Sequence, residues 1–404
     1  MRQRVAERTQ STNGAERTVC PVCGGQAFVT IVERVQTPVH QNLVFKSQQE
    51  AVSAARGTLA MVACEACGFV FNRAFDLGKL SYSAQYDNTQ LSSGVFQEHV
   101  NGLIRHLVDE RGIRNAQIVE VGCGKGGFIR ALVADEGANN TGYGFDPTYV
   151  GPDTDLDGRL RFERRFYDAS CTDVPADAVV SRHVIEHVPQ PLVLLQAIAD
   201  ALRGRPNARI FLETPCVEWI LRNEVVWDFF YEHCSLFTAH SLTTACETVG
   251  FTVEEVRHVF GGQYLWLEAV NRPPAQVTRD AEQIPQQARQ FAAAQAEKSE
   301  RWRTAIRELA GSQRLALWGA AAKGTTFANM IDPDREYFAC LVDINPAKQG
   351  GYVIGTGHPI VAPSELAAHG VTAAVLLNPN YKAEVEALLR ALSLPISVLD
   401  IGAV

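Results

Sequence analysis

Apolar and polar positions in this chain alternate in different rhythms along its length. From Val19 to about Asn72, short β-rich stretches at 27–34, 44–45, 58–64 and 69–71 are separated by cysteine, glycine and polar residues, which predicts a small β module. A polar, tyrosine-bearing loop from Tyr82 then leads into a helical pattern that ends near Gly112. Between Gln117 and about Asn271, strand patterns at 118–121, 141–145, 178–181 and 209–212 are separated by helical ones at 127–134 and 191–202. That alternation predicts a doubly wound sheet. The runs 251–259 and 264–270, joined through Gly261-Gly262, predict an antiparallel hairpin that closes it.

Pro273-Pro274 ends this unit, and the following stretch to Leu309, rich in Ala, Gln, Glu and Arg, predicts one long connecting helix with a break near Pro285. Beyond Gln313 a second α/β pattern begins, with strands at 315–318, 339–343, 372–377 and 396–399. The expected organisation is a disordered tail (1–18), a β module (19–75), a connecting loop and helix (76–112), an α/β domain (113–271), a connecting helix (272–310) and a smaller C-terminal α/β domain (311–404).

Composition fits that division. The 404 residues are 46% hydrophobic and 20% charged, too long a chain for one core and typical of a soluble globular protein. A formal charge of −8 without a basic stripe argues against a nucleic-acid partner. No run approaches the ~18 apolar residues of a membrane span, and Arg2, Arg4, Glu7 and Arg8 are unlike a secretory leader, so no membrane association and a cytoplasmic location are expected.

Of the 10 cysteines, six are scattered singly and four form Cys20-Pro21-Val22-Cys23 and Cys64-Glu65-Ala66-Cys67. Each pair sets two thiolates on a tight knuckle, half of a tetrahedral zinc site. With Cys20, Cys23, Cys64 and Cys67 all used, no coordination position stays open, so the expected Zn2+ is structural. A zinc-ribbon binding module is the rival reading.

Candidate chemistry starts at Glu120-Val121-Gly122-Cys123-Gly124-Lys125-Gly126-Gly127, a strand end running through glycines into a helix. Such a turn offers backbone N–H groups to a polar ligand. By glycine spacing alone it also suits a dinucleotide. A second strand ends in Asp146, where a carboxylate can accept both ribose hydroxyls; a third turn carries Asp168-Ala169, a partner for an adenine amino group. The fourth strand runs into Ser181-Arg182-His183-Val184-Ile185-Glu186-His187, with His183 placed for cofactor contact and Glu186 and His187 read as a solvated helix start. Four strand ends at these spacings resemble class I S-adenosylmethionine-dependent methyltransferases, which implies Glu120, Gly122 and Gly124 at the amino-acid end of the donor and Asp146 at its ribose.

The whole order resembles the three-part sugar C-methyltransferases of deoxysugar biosynthesis. The marks of the likeness are the two cysteine pairs, the donor motifs, Glu232-His233, Gly319–Thr326, Asp343–Gly350 and Asn378-Pro379-Asn380-Tyr381. It implies a zinc-binding β module, a class I Rossmann-like methyltransferase core and a second, smaller Rossmann-like domain. It also implies methylation at C3 of a nucleotide-linked 4-keto-6-deoxyhexose, a small-molecule nucleotide-sugar substrate. In the family pattern Y-H-E-H-L-x-Y-F-S, Glu232, His233, Phe237 and Thr238 fit, whereas Phe230, Tyr231 and Leu236 depart.

Methylating carbon next to a ketone needs a base for the proton and donors for the enolate oxygen. His233 is the expected base, Glu232 its orienter or a sugar-hydroxyl anchor, and Tyr86 a donor to the enolate. Tyr231, Lys323 and Tyr381 are candidate substrate contacts: the Gly319–Thr326 turn, which carries Lys323, suits a diphosphate, and the resemblance implies that this domain grips the nucleotide of the sugar with Lys323 and Tyr381. An O- or N-methyltransferase on a related glycosyl or natural-product substrate is the alternative.

Overall fold

The computed structural model describes residues 16–80, 93–171, 173–277 and 279–403. The N-terminal region runs through strands β1 (Phe28–Pro38), β2 (Val44–Phe45), β3 (Arg56–Cys64) and β4 (Val70–Asn72), with β1, β3 and β4 pairing antiparallel in that order. Pairing brings the two cysteine knuckles to one end of the sheet. The sulfurs of Cys20 and Cys67 lie 3.8 Å apart, those of Cys23 and Cys64 3.5 Å, and all four fall within 4.8 Å of one another. A tetrahedral shell with Zn–S bonds of ~2.3 Å sets its sulfurs about 3.8 Å apart, so the four buried thiols fit a structural Zn2+. The Gly25 N–H, 3.3 Å from the Cys23 sulfur, adds an outer hydrogen bond.

The middle of the chain contributes β5 (Gln117–Val121), β6 (Thr141–Phe145), β7 (Thr154–Asp155), β8 (Leu160–Glu163), β9 (Ala178–Arg182), β10 (Arg209–Pro215), β11 (Ser235–Leu236), β12 (Thr252–Val259) and β13 (Tyr264–Val270). All but β11 form one sheet in the order β12-β13-β10-β9-β5-β6-β8-β7. The strands from β10 to β8 are parallel, and β13 enters antiparallel to both β10 and β12. Chain order reverses direction at β5, which opens a crevice at the carboxyl ends of β5 and β9. Helices Gly127–Ala134 and Pro191–Ala201 cover the sheet with the apolar faces their sequence periodicity predicts.

Strand β11 leaves this sheet and pairs with β4 of the N-terminal module, Ser235 opposite Phe71 and Leu236 opposite Val70. The loop preceding β11 is clasped by the same module. Arg34 donates to the carbonyls of Val226 (2.9 Å) and Phe229 (3.0 Å), Gln41 N–H to the Glu232 carboxylate (2.7 Å), Asp76 N–H to the Tyr231 hydroxyl (2.9 Å) and Asn72 N–H to the Cys234 carbonyl (3.0 Å). The module and the core share one hydrophobic cluster, in which Phe69, Phe71 and the knuckle cysteines pack with Phe237 and Leu192.

The C-terminal domain contains β14 (Leu315–Trp318), β15 (Phe338–Val342), β16 (Tyr352–Val353), β17 (Ile360–Val361), β18 (Ala373–Leu376) and β19 (Ser397–Asp400). Its parallel sheet has the order β17-β15-β14-β18-β19, reversing at β14. Strand β16 instead pairs with β2, so the N-terminal module grips this domain too. Gly351 permits the grip, because a Cβ there would sit 2.0 Å from a Val44 methyl.

The connecting helix differs from expectation. It spans Ile284–Ala310 and holds Pro285 in its first turn rather than at a break, since a proline there gives up an N–H that has no partner within the helix. Among the described residues, 272–277 and 279–283 are not helical. Among the described residues no helix is long and apolar enough to cross a membrane.

Because the thiol cluster anchors the sheet end from which β4 holds β11, Cys64→Ser is expected to release zinc and lower stability by on the order of 3 kcal/mol or more. Amide protection across 226–236 should fall with it. Zinc analysis, thermal unfolding and hydrogen exchange check this; a loop that keeps its protection in the zinc-free variant would show that the clasp stands without the staple.

Candidate active site

Two cavities meet over the carboxyl ends of the central sheet. The first, about 850 Å³, follows the glycine turn and is lined by Glu120, Gly122, Gly124, Asp146, Asp168 and Arg182. Gly122 has φ 72° and a Cβ there would meet Val184 at 2.2 Å, so the turn passes close under that side chain only as glycine. The Gly124 N–H is held by an Asp146 carboxylate oxygen at 2.8 Å, and the other oxygen accepts from Thr148 N–H and hydroxyl. Asp146 is thereby fixed at the end of β6, facing the cavity. Asp168 lies on the rim, accepting from Ser170; the exposed Ala169 beside it is not on the cavity wall.

Glu120 is buried at the end of β5, with its carboxylate accepting the Ile129 N–H at 3.1 Å. Burial pushes its pKa up to about 8, with Asp146 adding to the rise and Arg182 opposing it. A cationic ligand group is what would ionise it. The sequence reading passed over Arg182. Its Nε donates to Glu213 at 2.7 Å, its guanidinium lies 4.5 Å above the Phe128 ring, and its Nη2 has no hydrogen-bond partner among the described residues. Against the upward push of burial, Arg182, His183 and His99 hold the Glu213 carboxyl well below the usual carboxylate range. The signal for Arg182 in the sequence was its place at the end of β9, where side chains face the crevice.

The second cavity, about 520 Å³, lies between the core and the C-terminal domain. Phe230, His233 and Asp228 enter it from the clasped loop, and Trp318, Lys323 and Tyr381 from the carboxyl ends and helix starts of the second sheet. Lys323 pairs with Asp228 at 2.7 Å and lies 5.6 Å from the Trp219 ring, while burial raises the Tyr381 phenol. His183 and His187 line both cavities. His183 holds a positive φ of 54°, a strained conformation that its N–H bond to the Glu213 carbonyl (2.9 Å) helps to enforce.

Two of the expected site residues face elsewhere. The loop turns here, with the His233 N–H donating to the Phe230 carbonyl at 3.2 Å, so Phe230 and His233 at the ends of the turn face the cleft while Tyr231 and Glu232 in its middle face the N-terminal module. Tyr231 is fully buried, its hydroxyl on the Asp76 backbone, and Glu232 is fully buried against Gln41 N–H and His40. Tyr86 lies outside the described residues. Glu186 and His187, read as a solvated helix start, are instead part of the cleft wall: Glu186 is fully buried, and the His187 ring stands edge-on to His233 at 4.8 Å. Burial, reinforced by His187, His183 and Lys323, holds the His233 imidazole well below its ordinary pKa, hence neutral at neutral pH.

Comparisons with known proteins agree with this division. A methyltransferase domain model matches residues 96–256, and a C-methyltransferase C-terminal domain model matches residues 278–393. The C-methyltransferase NovU of Streptomyces niveus is 25% identical over 398 residues, covering 91% of this chain and 90% of that protein. A ubiquinone biosynthesis O-methyltransferase of Aeromonas salmonicida is 31% identical over 109 residues, 26% of this chain and 44% of that enzyme. Among solved structures, a Burkholderia thailandensis 1,6-didemethyltoxoflavin-N1-methyltransferase is 15% identical, covering 44% of this chain and 81% of that one with a TM-score of 0.34.

A donor that brings an ammonium group to Glu120 must bind the carboxylate form, which is the minor form below a pKa of about 8. Donor binding at pH 7 should therefore release most of a proton, and affinity should rise with pH to about 8 and fall above it, where the donor's own α-amino group (~7.7–8.0) loses its proton. Calorimetry in buffers of differing ionisation enthalpy measures the release. Proton-neutral binding at pH 7 would place the ammonium away from Glu120.

Proposed function

We propose that this chain, which belongs to the S-adenosylmethionine-dependent C-methyltransferase family related to NovU, methylates C3 of a nucleotide-linked 4-keto-deoxysugar through an enolate, with His233 as the base. The observation that carries the reading is the shared wall: His183 and His187 border both cavities, and His233 stands against His187 on the acceptor side. A donor in one cavity and an acceptor in the other would meet there.

When bound, S-adenosylmethionine supplies an electrophilic methyl group. Glu120, Gly122, Gly124 and Asp146 hold the donor, with Asp168 at its rim. On the acceptor side the neutral His233 imidazole takes the C3 proton, which a neighbouring ketone has made acidic. The imidazolium so formed lies within 4.8 Å of a Glu186 carboxyl oxygen, which can offset its charge. Glu232 serves this base at one remove, by fixing the loop that presents it. Tyr86 keeps the part of enolate donor that the family likeness gives it. Lys323 and Tyr381 are the substrate contacts for the nucleotide end, where the Lys323–Asp228 pair would exchange Asp228 for phosphate oxygens.

Phe230 favours the alternative of O- or N-methylation, since it places an apolar ring where the family pattern has a tyrosine hydroxyl. His233 would then deprotonate a hydroxyl or an amine.

Incubation with a 4-keto nucleotide sugar in deuterium oxide, without donor, should exchange the C3 hydrogen in the wild type and not in His233→Ala. Methyl transfer in that variant should drop by ~10²–10⁴-fold. Turnover with no exchange at C3, and methyl found on oxygen or nitrogen by mass spectrometry, would establish the alternative.

A further inference from the structure

The geometry points to a second metal site in this protein, a binding site for a transition-metal dication formed by Glu186, His187 and His233 on the wall of the acceptor cleft. It is separate from the four-thiolate staple. One carboxylate oxygen and two imidazole nitrogens, one from each residue, lie within 4.8 Å of one another. In a tetrahedral shell with bonds of ~2.0–2.1 Å, ligand atoms stand about 3.3 Å apart, so binding would draw the three atoms together by up to about 1.5 Å.

Hydrogen bonding supplies the second observation. Glu186 is fully buried, and only one of its oxygens is engaged, accepting from the Thr214 hydroxyl at 3.0 Å. The other accepts no hydrogen bond among the described residues; His183 Nδ1 stands 3.4 Å from it. The buried His187 Nδ1 likewise has no partner there. Buried polar atoms left unsatisfied are costly and uncommon, and two of the three residues grouped here each carry one.

Ligand type limits the ion. Two imidazoles and one carboxylate suit Zn2+, Co2+, Ni2+ or Cu2+, whereas Mg2+ and Ca2+ prefer oxygen shells. Thr214 is an outer partner for the carboxylate, and Phe230, 4.0 Å from the His233 ring centre, restrains that imidazole. All three residues line the cleft.

Occupation has a consequence that rests on His233 being the base. A nitrogen lone pair given to a metal cannot accept the C3 proton, so a bound dication switches methyl transfer off reversibly.

The test titrates Co2+ into the zinc-loaded protein, following visible d–d absorption and metal content, with methyl transfer assayed in parallel. One further equivalent is expected, with affinity reduced at least ~10-fold by Glu186→Gln and by His187→Asn, each checked for one retained zinc and native circular dichroism. His258→Gln, in the outer group of Cys216, Glu218 and His258, should leave it unchanged. No second equivalent, or one lost only in His258→Gln, overturns the site. Binding accompanied by inhibition that a mild chelator relieves supports both site and consequence. Binding without inhibition keeps the site and overturns His233 as the base.

Discussion

The site depends on a constraint far from the chemistry, the closure of four thiolates at the end of the N-terminal sheet. A structural zinc of this kind contributes ~10–16 kcal/mol in small zinc-folded peptides, an order of magnitude more than a typical single hydrogen bond at about 1 kcal/mol. That margin lets β3 and β4 stand as a fixed edge, and β11 is built on that edge. From it hangs the loop 226–235, with Arg34, Gln41, Asn72 and Asp76 taking its carbonyls, its carboxylate and its tyrosine hydroxyl in turn. Phe230 and His233 reach the cleft because their neighbours are held on the other side.

Electrostatics near the methyl-transfer point follows from three buried carboxylates, Glu120, Glu186 and Glu213, close to the carboxyl ends of β5, β9 and β10. Each is met differently. Glu213 is surrounded by Arg182, His99 and His183 and stays ionised; Glu120 has too little compensation and takes a proton near neutrality. Glu186 has one hydroxyl and three histidines, His183, His187 and His233, within reach. In the proposed reaction a cationic donor and a transient imidazolium would be received by groups already in place, which is how a preorganised site lowers the cost of developing charge.

Much of the fold was legible because it is written in local patterns. Alternating apolar strands and helices, Gly122 and Gly124 at a strand end, and paired cysteines each report on a few neighbouring residues, and the core strands fell within a residue or two of expectation at one end and three at the other. What was not legible is long-range. Strand β11 has two residues and no period to read, and its pairing with β4 spans more than a hundred and fifty positions. Without that pairing, Tyr231 and Glu232 look like site residues and Glu186 and His187 like a solvated turn, because the sequence shows residue type but not facing. Pro285 misled for a related reason: a proline marks a helix start as readily as a break, and only the neighbouring fold decides.

Two doubly wound sheets each offer a ligand crevice where strand order reverses, at β5 in the core and at β14 in the C-terminal domain. Alone, each could bind something; transfer between them requires that the crevices face each other at a fixed distance. The connecting helix Ile284–Ala310 packs on β1, and β2 pairs with β16, so the N-terminal module joins in setting the second sheet against the first, beside direct contacts such as Gln263 with Asn378 and Lys323 with Asp228. The same module clasps the loop that carries His233. The zinc-stapled element therefore takes part in spacing the two crevices and holds the loop that presents His233 between them. That arrangement explains why a module without an open metal coordination position or a cleft-facing acid belongs to the catalytic unit.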